Sequence, residues 1–185
     1  IYTMSKIYPA ITEKLSSFIK QQKIFFVATA APQGRVNISP KGMDSLRVMN
    51  DKRVIWINLT GSGNETSAHL QQSNRLTIMF CSFSGAPMIL RIYGRAREIT
   101  RENPEWENLY SQFDPLPGSR QIFDLEVEMV HTSCGTGVPI FDYVDEREQL
   151  NKWATKKGEQ GIRKYWEENN QLSLDGFPTN IMKKK

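Results

Sequence analysis

The sequence predicts a mainly β fold: a small antiparallel barrel with helices at its start, middle and end. Three observations predict it. Apolar, β-rich runs recur between short turn signals such as Pro32-Gln33-Gly34 and Ser84-Gly85-Ala86-Pro87. Residues 121–133 alternate strictly, with Phe123, Leu125, Val127 and Met129 set against Asp124, Glu126 and Glu128. Helical patterns flank the strands rather than alternate with them. Closure into a barrel removes the exposed edges that about six short strands would otherwise leave.

Taken in order, residues 9–22 read as a helix, with Ile11, Leu15 and Phe18 near one face and Pro9 in the first turn. "KIFFVATA" and "RVNISP" form a hairpin about the Pro32-Gln33-Gly34 turn. In the second of these, Val36 and Ile38 point one way, and Asn37, Ser39 and Lys41 the other, before a Pro40-Lys41-Gly42 turn. "RVIWINL", residues 53–59, is apolar on both faces, which predicts a strand covered on both sides. "GSGNETSAHL" enters a helix, capped either by Ser62 with Glu65 or by Asn64. "RLTIMFCSF" is another buried strand. "MILRIYGRAREI" is a long one, with Met88, Leu90, Ile92 and Ala96 opposite Arg91, Tyr93, Arg95 and Arg97. Gly94 within it marks a bulge or a close backbone approach. Residues 103–113 are helical, and residues 145–169 form a helix in two pieces divided near Gly158 to Gly161.

The 185 residues fit one domain with an appendage: residues 1–140 as the barrel and 141–185 as a helical extension packed on it. A net charge of +4 suits an anionic small ligand as well as nucleic acid. No apolar run approaches the ~18 residues that span a bilayer, and no leader segment is visible. Cys81 and Cys134 lack CxxC spacing, and His69 and His131 are too few for a histidine-rich site. A cytoplasmic protein without disulfide or metal is expected.

Catalytic motifs are scarce. Three candidates carry chemistry. The loop with Ser62, Asn64, Thr66 and Ser67 enters a helix and could hold an anion or be a plain cap. The row Asn37, Ser39, Lys41 could line a site or be a solvated strand face. The stripe Arg91, Tyr93, Arg95, Arg97 could meet nucleic acid or another subunit. Glu98 and Glu102 directly after it, and the absence of a stacking-aromatic motif, argue against nucleic acid.

The order "FFVATAAPQGRVNISPKG", "RVIWINLTGSGNETSAHLQQSNRLTIMF", "MILRIYGRAREI" resembles the pyridoxamine 5′-phosphate oxidase-like family of FMN-binding split barrels. The resemblance implies a six-stranded antiparallel split barrel, a homodimer, and FMN in a cleft between subunits. It implies cofactor contacts from Val36, Asn37, Ile38, Ser39 and Lys41, with Lys41 as the cation near the ring or phosphate. It adds Trp56, Ile57 and Asn58, the loop residues Ser62, Asn64, Thr66 and Ser67, and Arg91 on the long strand. Family members often carry Ser-Arg-Lys after the "RVIWINL" strand, where this chain has Gly61-Ser62-Gly63-Asn64. The arginine- and histidine-bearing end that binds the vitamin phosphate is absent from "LSLDGFPTNIMKKK". The implied activity is an FMN-dependent oxidoreductase acting on a small redox substrate other than pyridoxamine 5′-phosphate, with reduced nicotinamide as a possible donor. The alternative is a non-catalytic flavin- or haem-binding carrier or sensor.

Overall fold

The structure, a computed structural model, describes residues 5–183. Its strands are β1 (Lys6–Tyr8), β2 (Phe25–Thr29), β3 (Asn37–Lys41), β4 (Leu46–Asn50), β5 (Arg53–Leu59), β6 (Arg75–Cys81), β7 (Ile89–Ile99) and β8 (Ser119–Ser133). Its helices are α1 (Glu13–Gln21), α2 (Glu65–Leu70), α3 (Trp106–Tyr110) and α4 (Gln149–Asn169). The sheet is antiparallel, in the order β3-β2-β6-β7-β8-β5-β4, with β1 added to β8. This is the mainly β split barrel expected, with eight strands where about six were predicted. The two additions, β1 and β4, are short and half-exposed, so their apolar pattern is thin.

β3 and β4 end the ladder on opposite sides, yet only residues 42–45 separate them in sequence. The sheet therefore curls until its two edges adjoin. β3 runs through Pro40 to Lys41 rather than stopping at the proline, which an edge strand tolerates because its outer side needs no donor. In the turn, Met43 and Asp44 both have positive φ, 60° and 51°. Such a conformation costs about 1–2 kcal/mol per non-glycine residue. Arg47 holds it: Nη1 donates to the Asp44 carbonyl at 2.8 Å and Nη2 to Asp44 Oδ2 at 2.8 Å, while Nε reaches the Gln112 carbonyl. Its guanidinium also lies 4.7 Å from the Phe113 ring centre. Arg47→Ala is expected to cost about 1–2 kcal/mol in urea denaturation, since the partner carboxylate is exposed.

The core has two parts. Val27, Trp56, Ile78, Leu90, Ile92, Phe123 and Leu125 fill the barrel, and Leu15 and Ile19 of α1 lie on it. Ile55, Ile57, Ile99 and Ile122 form the opposite layer with Trp106 and Leu109 of α3. β5 is thus covered on both faces, as its sequence predicts. Thr12 caps α1, accepting from the Leu15 N–H at 3.3 Å, so the helix begins after the predicted Pro9. Gly94 is both a bulge and a close approach. The β7–β8 register shifts there, pairing Tyr93 with Met129 but Gly94 with Val127. The skipped Glu128 reverses the phase of β8, so Val130 rather than Met129 is the next buried side chain. α4 breaks at Gly158, where φ is 64° and ψ 174°.

Candidate functional site

The alternation of β3 decides what each of its side chains can do. Asn37, Ser39 and Lys41 pair with Thr29, Val27 and Phe25, three buried residues, and so face the inside of the curl. Val36 and Ile38 face out and are 69% and 66% exposed. The polar row is linked: Ser39 Oγ donates to Asn37 Oδ1 at 2.9 Å, and Asn37 Nδ2 to Thr29 Oγ1 at 3.3 Å. Thr29 Oγ1 lies 3.0 Å from Nδ1 of His69, which is buried on α2. The Thr29 hydroxyl has one hydrogen and two lone pairs and can either donate to Nδ1 or accept from it; the far ring nitrogen is Nε2. That buried Nε2 has no partner among the described residues.

Lys41 closes the split. Its Nζ reaches Asn58 Oδ1 of β5 at 3.5 Å, from one edge region of the sheet to the other. Asn58 in turn donates to Gln121 Oε1 at 2.9 Å and to Asn64 Oδ1 at 3.4 Å. Burial, reinforced by the Arg120 charge, pulls the Lys41 ammonium down to about 8. Arg120 at the start of β8 is buried, and burial brings its guanidinium down to about 10. Its Nη2 donates to the Gly63 carbonyl at 3.0 Å and Nη1 to Asn170 Oδ1 at 2.8 Å. Asn170 also donates to the carbonyls of Gly61 and Ser62. The 61–64 loop is therefore pinned from the side of α4.

The structure thus brings Asn37, Ser39, Lys41, Asn58 and Asn64 together on the inner edge. It places the other predicted residues differently. Trp56 and Ile57 are buried in the two cores, the Trp56 and Phe123 rings tilted by 31° with centres 4.8 Å apart, and Trp56 Nε1 is buried without a partner among the described residues. Ser67 is committed inside, 2.7 Å from Glu98 Oε1, and Thr66 is buried beside it. Asn64 occupies the cap position of α2 without a capping bond, and Glu65 accepts from the Leu174 N–H, so the predicted Ser62–Glu65 box does not form. Arg91 lies on the outer face, bonded to Ser133 Oγ at 3.1 Å. Arg95 and Arg97 are paired with Glu128 and with Glu105 and Asp124, respectively. Sequence reasoning missed Arg120, Gln121 and His69; Arg120 and Gln121 stand in the polar "GSRQ" lead-in to β8 and His69 in the largely polar "ETSAHLQQS", so no local pattern marks them.

The family model described as pyridoxamine 5′-phosphate oxidase matches residues 11–134. The chain belongs to the pyridoxamine 5′-phosphate oxidase family. A family protein, ustO of Aspergillus flavus, is 32% identical over 189 residues, covering 92% of this chain and 76% of its own length. Two crystal structures share the family fold. HupZ of group A Streptococcus, in a histidine-to-alanine variant, superposes with a TM-score of 0.55 at 23% identity, covering 66% of this chain and 98% of its own. A Lactobacillus delbrueckii protein provisionally assigned as a pyridoxamine 5′-phosphate oxidase gives 0.54 at 12%, covering 69% and 98%. Among the described residues no cluster of three or more His, Cys, Asp or Glu could hold a metal, and no helix is long and apolar enough to cross a membrane.

Proposed function

We propose that this chain is a cytoplasmic FMN-dependent oxidoreductase, acting as a homodimer on a small redox substrate other than pyridoxamine 5′-phosphate. The observation that carries this reading is the inner edge of β3, where Lys41 meets Asn58 across the split with Asn37 and Ser39 in the same row. The donor set fits an anionic heteroaromatic ligand. Lys41 supplies a cation, Asn37 and Ser39 supply donors and acceptors, and Asn64 Nδ2 is buried without a partner among the described residues. FMN bound there would supply the hydride or electron chemistry. The chain's residues would hold and orient it and place positive charge beside it. The exposed Val36 and Ile38, and the outer row Pro40-Phe26-Met79-Arg91-His131 across four ladders, favour a second copy against this face. Arg91 would then belong to the cleft between copies.

The absorbance spectrum of the purified protein tests the cofactor, with flavin bands expected near ~450 nm. Anaerobic mixing with reduced nicotinamides should then bleach them, and admitting oxygen should restore them. A protein that holds FMN but is bleached by no nicotinamide is a carrier. Light scattering should give a dimer; a monomer that retains FMN tightly overturns the two-chain cleft.

A further inference from the structure

A second cationic site includes Arg120 but not Lys41 in its lining. A cavity of about 50 Å³ opens between the end of β7, the start of β8, α4 and the C-terminal segment. Arg120 and Gln121 line it, with Arg101, Arg163 and Lys183 around them and Glu102 as the single carboxylate in the lining. Four cations against one carboxylate is an unbalanced lining, offset in part by the Glu98 charge that also acts on Arg120. Arg120 is 4% exposed, and both its Nε and Gln121 Nε2 are buried donors with no acceptor among the described residues. Buried donors are seldom left unpaired. Of the outer cations, Arg163 meets Glu167 only at 3.8 Å in an exposed pair, while Arg101 already donates to the Ser119 carbonyl at 2.9 Å.

We propose that this cavity binds a phosphate-class oxyanion, held by Arg120 and Gln121 from β8 and by Arg163 and Lys183 from the C-terminal extension. By the same measure a single water needs ~10–15 Å³, so a space of about 50 Å³ admits an oxyanion head but not a nucleoside. Guanidinium groups match such an anion with paired N–H donors. The anion bridges barrel and extension. Because Arg120 and Asn170 also grip the 61–64 loop, it braces that loop from behind. The site does not depend on the flavin reading, and its test is separable from it.

The test is thermal unfolding of the full chain, with and without added FMN, titrated at constant ionic strength with inorganic phosphate, phenyl phosphate and, as control, chloride. Saturable stabilisation by phosphate or its monoester, but not by chloride, is expected, and the tighter of the two identifies free ion or ester as the source. R163A/K183A should bind roughly tenfold more weakly. K152A/K164A, which removes the same charge from exposed positions elsewhere on α4, should bind as the wild type does. Both pairs are solvent-exposed, so folding is retained. The absence of saturable stabilisation, equal loss in both double variants, or phosphate binding abolished by FMN would each overturn the proposal.

Discussion

Replacing Gly94 with alanine is expected to destabilise the protein by more than about 4 kcal/mol, enough to unfold many domains of this size. A Cβ built on Gly94 would stand 1.9 Å from the Glu126 carbonyl oxygen and 3.0 Å from its carbon. Both are backbone atoms, so no rotamer change relieves the overlap. Relief requires β7 and β8 to part at their bulge, breaking ladder bonds between the two longest strands of the sheet. β8 also carries Arg120 and Gln121, so the damage would spread to the loop they support. Gly137→Ala is the control, because a Cβ there meets nothing within 4 Å and its φ is not positive. It should fall within about 0.5 kcal/mol of the wild type. Urea denaturation followed by tryptophan fluorescence compares the two; similar midpoints for both variants would refute the close-approach argument.

Gly94 was legible in the sequence because glycine inside a strand has few other reasons to be there. The same holds for the double-faced apolar run of β5 and the glycine break in α4, which depend on local pattern alone. What was not legible depends on register and on contacts distant in sequence. Whether the Asn37-Ser39-Lys41 row faced solvent or the barrel could not be read from alternation, which fixes relative but not absolute sides. The missed strand β4 carries Arg47, whose role appears only with the positive-φ turn beside it. Arg120 gave little sign, since its partners Gly63 and Asn170 lie 57 and 50 residues away. Ser67 illustrates the converse: a hydroxyl near a helix start looked available, but Glu98 on β7 had already taken it.

Lys41→Ala is expected to weaken FMN binding roughly tenfold or more, by loss of a charge-assisted contact, while Lys164→Ala on the exposed face of α4 leaves it unchanged. Titration quenching of flavin fluorescence measures both, and equal affinities would remove Lys41 from the site. The pH dependence makes the assignment sharper. With its ammonium lowered to about 8, Lys41 is charged at neutral pH and loses its charge as the pH rises past that value. Affinity for an anionic ligand should therefore be level from pH 7 to about 8 and decline toward pH 9.5. Lys41→Arg, which stays protonated, should abolish the decline. Stability without the ligand should move in the opposite sense. Between about 8 and 10.5 the unfolded chain holds a proton on Lys41 that the folded chain has released, so this residue's contribution to stability rises with pH across that window. Opposed trends in binding and stability, both removed in Lys41→Met, are the signature of a half-buried lysine that serves a ligand at the expense of its own solvation. A binding decline that persists in Lys41→Arg would place the titrating group elsewhere.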